Sequence, residues 1–182
     1  MVARALVLID IQRGFDDPRW GARNNPEAEA NAGVLLAQWR AAQAPVIHIR
    51  HVSVERGSPL VDEGAQFKPE VTPLPREPVF EKSVNSAFIG TELEANLRNH
   101  GLSALTIAGL TTPHCVSTTT RMAANLGFDV ELVADACAAS ATNADTSFDD
   151  GPALTPDEIH RTALAHLHGE FATVLTNTSA RP

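Results

Sequence analysis

What constrains this chain most is a rhythm of short apolar runs. Residues 5–9 (ALVLI), 45–52, 104–110 and 130–134, with a weaker run at 172–176, are each about one strand long, and helical patterns fill the intervals. Strand, helix, strand in that order predicts a mostly parallel sheet covered by helices, because a parallel return needs a crossover long enough to hold one. The helical intervals carry boundary signals. Asn25 and Pro26 stand as N-cap and first helical residue ahead of Val34, Leu35 and Trp39 at helical spacing. Thr91-x-x-Glu94 and Thr155-x-x-Glu158 each have the form of a capping box. They predict helices over 92–99 and 156–168, stopped by Gly101 and Gly169. A further helix is expected over 116–126, and residues 79–81 would supply a strand between the second and third runs. With 182 residues of which 43% are hydrophobic, one domain spanning 1–182 can build its own core without a disulfide or metal. The expected class is α/β, a three-layer α/β/α arrangement with a mostly parallel, Rossmann-like sheet of order 3-2-1-4-5-6.

Charge and composition exclude several functions. A net charge of −8 disfavours a phosphate backbone or an anionic membrane face, so neither nucleic acid nor membrane is an expected partner. The first apolar run stops at Asp10, too short for a signal-peptide core or a membrane span, which makes a cytoplasmic protein the expectation. Two cysteines, Cys115 and Cys137, do not make a disulfide framework but allow one working thiol. No metal or cofactor is expected. His48 and His51, three apart on a strand, point to opposite faces. The stretch 143–151 has Phe148 where a calcium loop needs glycine, and His160, His166 and His168 fit a solvated helix end.

In an open parallel sheet, ligands bind beyond the carboxyl ends of the strands where strand order reverses. With order 3-2-1-4-5-6, Asp10 at the end of the first strand and residues 111–115 after the fourth would meet there. Either Asp10 or Cys115 alone could be structural, a turn cap or a packed thiol; their convergence makes them candidates. Cys115 would also open a helix, a place where a thiol pKa is expected to fall. The segment HCVSTTTR, from His114 to Arg121, fits either a cysteine amidase or the phosphate loop of a cysteine phosphatase using Cys115 and Arg121. A phosphate loop needs glycines to curl its amides around an oxyanion, and residues 116–120 hold none. Phosphatase is therefore the rival reading, and a non-catalytic oligomeric scaffold a second. Phe15 and Trp20 could wall the reacting carbon or anchor their loop, and His114 and Phe88 are further pocket candidates. Cys137, with no cation or helix start nearby, fits a packed core thiol. The irregular stretches 14–24, 53–78 and 139–154 are expected to form a pocket or a subunit contact.

Four blocks, LVLIDIQRGF, EKSVNSAFIGTEL, AGLTTPHCVSTTTRMAANLGF and VELVADACAA, together resemble the isochorismatase-like cysteine hydrolases, the superfamily that includes nicotinamidases and other small amidases. The resemblance covers nearly the whole chain. It implies Asp10 as general acid/base, Lys82 as supporting cation and Cys115 as nucleophile, cleaving the C–N bond of a small amide-type substrate through a thioester acyl-enzyme. It also implies a non-proline cis peptide at Leu110–Thr111, an oxyanion hole from the backbone N–H groups of Thr111 and Cys115, and a homodimer or homotetramer. Lys82 is not evident from the residues alone. A lysine there is ordinarily solvated, and its strand would lie two strands from the switch, so the chain must bend inward. The Asp-x-His metal motif of the nicotinamidases has no counterpart, which disfavours that activity and, on the family's pattern, isochorismatase proper.

Overall fold

The computed structural model describes residues 4–182. A 6-stranded sheet runs in the order β3-β2-β1-β4-β5-β6. Its strands are β1 (Arg4–Ile9), β2 (Val46–His51), β3 (Val79–Lys82), β4 (Ala104–Leu110), β5 (Asp129–Ala138) and β6 (Thr173–Leu175), and every neighbouring pair is parallel. The crossovers hold α1 (Ala28–Ala41), α2 (Leu93–Asn99), α3 (Ser117–Asn125) and α4 (Pro156–Leu167). The expected order and three layers are present.

Side chains of β1 alternate between two cores, as a period of two requires. Ala5, Val7 and Ile9 pack with Leu93, Leu97, Ala123 and Leu167 beneath α2, α3 and α4; Leu6 and Leu8 pack with Leu35, Leu36 and Trp39 of α1. Because both faces are covered, β1 is apolar at successive positions instead of alternating with polar residues. Among the described residues no helix is long and apolar enough to cross a membrane.

Local signals were obeyed unevenly. At Thr155 the capping box forms: its hydroxyl accepts from the Glu158 N–H, and Glu158 accepts from the Thr155 N–H. At Thr91 it does not: that hydroxyl donates to the Ala87 carbonyl at 2.5 Å and accepts from the Leu93 N–H at 3.3 Å, not from that of Glu94. Asn25 is not the cap of α1 either. With φ at 42° it sends its amide to the carbonyls of Ala134 and Cys137, and α1 starts at Ala28. β5 outruns its apolar run, and the Asp135 carboxylate within it accepts from the N–H of Asn177, beyond β6, at 2.8 Å.

At the switch between β1 and β4 the chain passes very close to itself. A Cβ on Gly109, whose φ is 137°, would stand 2.0 Å from the Ile9 carbonyl oxygen. Only glycine permits that approach, immediately before the turn that carries the thiol.

Candidate active site

Asp10 follows β1 in a left-handed conformation, φ 52°, one that aspartate tolerates better than most residues. Its side chain is fully buried. Lys82 closes β3 in register with His51 of β2. Reaching Asp10 means crossing two strand spacings of about 4.8 Å each, which a four-carbon lysine stem and a carboxylate span together.

The Lys82 ammonium donates in three directions: to Asp10 Oδ2 at 2.6 Å, to His51 Nδ1 at 3.1 Å and to Cys115 Sγ at 3.2 Å. An ammonium has three donors and no acceptor, so all its N–H bonds are committed and His51 Nδ1 must be the unprotonated ring nitrogen. The other Asp10 oxygen, Oδ1, is buried without a partner among the described residues.

Cys115 sits in a single π-helical turn, Thr112–Val116, which leads into α3 and follows a cis peptide at Leu110-Thr111. Its thiol faces the Asn85 side-chain oxygen at 3.7 Å. The inward bend that brings the chain from Lys82 to Asn85 is pinned by α3. Thr119 Oγ1 accepts from the Ala87 N–H at 3.0 Å and donates to the Asn85 carbonyl at 3.5 Å. Gln12 fixes the other side: its amide exchanges hydrogen bonds with the His51 backbone, accepting from N–H and donating to the carbonyl, each at 2.8 Å.

Burial dominates the electrostatics. It raises the Asp10 carboxyl above its ordinary range, against the pull of Lys82. Burial and then the Asp10 charge push the Cys115 thiol up to about 12, with Lys82 opposing. The low thiol pKa expected of a helix start is therefore corrected: the sulfur lies in the turn ahead of α3, desolvated beside a carboxylate. Burial and Lys82 bring His51 down to about 4, so its ring is neutral near pH 7. A thiol, a carboxylate and an ammonium in contact make a site without net charge whose proton can pass between sulfur and oxygen.

Above the thiol lies a cavity of about 790 Å³. Thr111, His114 and Cys115 line it, as do Phe15 and Trp20, whose ring centroids are 5.4 Å apart. The Trp20 indole donates to the Gly14 carbonyl at 2.8 Å, which folds the loop onto itself and sets up this wall. All three long irregular stretches reach the cavity, through Phe15 and Trp20, through Ser53 to Leu60, and through Asn143. A second cavity, about 820 Å³, opens at the opposite end of the strands beside Arg40, Arg76 and His100, far from the thiol.

Two sequence expectations, at Phe88 and His160, need correction, and the rival reading at Arg121 finds no support. Phe88 does not line the thiol cavity; its ring stacks on Phe128 at 5.8 Å within the core. Arg121 lies over the Phe171 ring at 4.5 Å and is absent from the cavity, so the pairing that a phosphatase would use does not form. His160 is buried, its Nδ1 2.8 Å from Thr112 Oγ1 and its Nε2 3.3 Å from the Asn25 amide, because α4 packs against the turn that carries Cys115. Cys137 is the packed thiol expected, fully buried in the core.

Sequence reasoning missed His51, Gln12 and Asn85 as members of the site. His48 and His51 do diverge, His48 turning to Glu77 at 2.9 Å, but His51 then points at Lys82. Asp10, His51 and Cys115 offer donor atoms within 4.8 Å of one another, a spacing that could suit a metal ion. The Lys82 ammonium touches all three and fills the position that such a cation would take.

Comparison with known proteins gives a consistent picture. The isochorismatase domain model matches residues 4–179. The isochorismatase family protein YrdC of Bacillus subtilis is 47% identical over 177 residues, covering 95% of this chain and 91% of that protein. A putative hydrolase of the isochorismatase family from Chromobacterium violaceum is 46% identical with a TM-score of 0.90, covering 97% of this chain and 90% of that one. Streptothricin hydrolase of Streptomyces noursei is 35% identical over 142 residues, 73% of this chain and 49% of that enzyme.

Proposed function

The chain belongs to the isochorismatase family of hydrolases, and from that premise we propose that it cleaves the C–N bond of a small carboxamide through a thioester on Cys115. The observation that carries this reading is the Lys82 ammonium, bound at once to Asp10, His51 and Cys115 on the wall of an accessible cavity. An amide carbon is a poor electrophile, and hydrolysing it takes a strong nucleophile, donors for the developing oxyanion and an acid for the leaving nitrogen.

The proposed steps use the residues gathered at the thiol. The Cys115 sulfur attacks the carbonyl carbon while its proton passes to Asp10, whose free Oδ1 is the available acceptor. The negative charge that develops on the substrate oxygen is held by the N–H groups of Thr111 and Cys115. As the C–N bond breaks, Asp10 returns the proton to the departing nitrogen, which leaves as ammonia or an amine. Asp10 then takes a proton from water as its oxygen attacks the thioester. The C–S bond breaks, the carboxylic product leaves and the sulfur recovers a proton. Lys82 keeps the triad's charge balanced as the proton moves. The role of Asp10 as base is supported by burial, which raises its carboxyl above the ordinary range and makes it a stronger proton acceptor.

The test is a panel of primary amides, lactams and ureas assayed for ammonia or acid, beside an aryl phosphate assayed for phosphate. We expect amide turnover that falls at least about a thousandfold in Cys115→Ala, as removal of a covalent nucleophile requires. Turnover that survives the substitution would refute the nucleophile, and phosphate release would favour the rival chemistry.

A further inference from the structure

The walls of the thiol cavity carry an unusual charge balance. Among the described residues, no arginine or lysine side chain lines it, and its one formally charged lining residue is Glu55, exposed at the mouth. Lys82, beneath the thiol, has its three N–H bonds committed within the site. Arg19 of the neighbouring loop and Arg56, next to Glu55 in the chain, are not among the lining residues; Arg19 is engaged by Asp17 and by the Gly57 carbonyl. The rest of the lining is neutral. Val54, Val84 and Ile89 stand exposed around the opening, and Ser53, Ser58, Asn85 and Asn143 offer hydrogen bonds without charge.

From this lining we propose that the cavity is a charge filter: it admits uncharged or cationic small molecules to Cys115 and rejects those that bear a carboxylate. On the amidase reading, its substrate class is carboxamides with no carboxylate of their own, with Glu55 as the specificity-determining residue that favours an ammonium group. A carboxylate entering would lose its hydration without meeting a counter-charge, and an unpaired charge taken out of water is disfavoured even after relaxation. It would also approach Glu55 as a like charge. The two histidines of the lining do not alter the balance near neutral pH. Burial lowers His114, and burial together with Lys82 brings His51 down to about 4.

The filter can be measured without knowing the substrate. Iodoacetamide and iodoacetate differ at the group that matters, and each forms a thioether with the sulfur and releases iodide. Their rates at Cys115, followed by peptide mass and normalised to the same rates with 2-mercaptoethanol, report selection by the cavity alone. We expect the normalised iodoacetate rate to be at least tenfold below that of iodoacetamide. In Glu55→Lys that gap should narrow by a factor of two or more at low ionic strength and reopen in salt, as an exposed charge at the mouth requires. Equal normalised rates, a preference for iodoacetate, or a gap indifferent to Glu55→Lys would overturn the proposal. A filter that behaves as expected in a protein that hydrolyses no amide would leave the filter standing and remove the amidase reading; amide turnover with no filter would do the reverse.

Discussion

At Cys115 two charges act in opposite directions, and the signs make the assignment testable. The Asp10 carboxylate raises the thiol pKa and the Lys82 ammonium lowers it. Asp10→Asn should therefore shift iodoacetamide alkylation of Cys115 to lower pH, and Lys82→Ala should shift it to higher pH. Amide turnover should nearly vanish in both: Asp10→Asn loses the group that hands the proton to the departing amine, and Lys82→Ala loses the cation that favours the thiolate. Alkylation profiles that move the same way in the two variants would break the account. Lys82 was the residue least legible in the sequence, where an isolated lysine at a strand end has every mark of solvation. What places it is the strand register opposite His51 and the anchoring of the following loop by Thr119, neither of which local patterning encodes. Asp10 and Cys115 were legible because strand order alone brings them together.

Among the elements, β4 carries the tightest demand. Gly109→Ala would drive a methyl into the Ile9 carbonyl at a φ of 137°, where the nearest atoms are Ile9 backbone with no flexible side chain to yield. Urea unfolding should show a loss on the order of 3 kcal/mol or more, the range of severe overpacking. Gly127→Ala, at φ 85° with open space around it, should lose only about 1 kcal/mol from its backbone conformation. Similar losses for the two would mean that β1 and β4 can part without penalty. The same kind of close approach docks two of the irregular stretches on each other: a Cβ on Gly14 would meet the Pro59 carbonyl oxygen at 2.4 Å. Lys68 bridges them further, donating to Asp16 at 2.5 Å and to Glu29 of α1 at 2.7 Å. Strands and helices were readable from apolar period and caps, whereas these loop contacts join residues about fifty positions apart and leave no periodic trace. The failed capping box at Thr91 shows the limit of one local signal against another: its hydroxyl goes to the Ala87 carbonyl four residues back and takes the Leu93 N–H.

For the whole molecule, acid stability should report a buried cluster on the side of the sheet away from the thiol. Burial would raise the Glu77 carboxyl, but hydrogen bonds from Arg40, the Leu74 N–H and His48 outweigh it and hold Glu77 down to about 2. A carboxyl so lowered stabilises the fold fully above its unfolded pKa of about 4.3, and that contribution is lost as pH falls toward the folded value. The thermal midpoint should therefore decline between about pH 4.5 and pH 2, and Glu77→Gln should flatten part of that decline while lowering the midpoint at pH 7. An unchanged slope in the variant would place the acid sensitivity elsewhere. The acidic surface, −8 overall, and a cavity whose one charged lining residue is Glu55 point the same way, toward ligands that are not anions. The class and strand order followed from the alternation of short apolar runs; the cavity, built by three loops, did not.

The central claim is that carbon from the substrate becomes bonded to the Cys115 sulfur during turnover. Acid quenching of the protein during hydrolysis of an amide found in the panel, followed by intact mass and peptide mapping, measures it directly. The account predicts an added acyl mass on the peptide holding Cys115, which forms and decays with turnover and is missing in Cys115→Ala. Sustained turnover with that peptide unmodified at every quench time, and undiminished in Cys115→Ala, would contradict it.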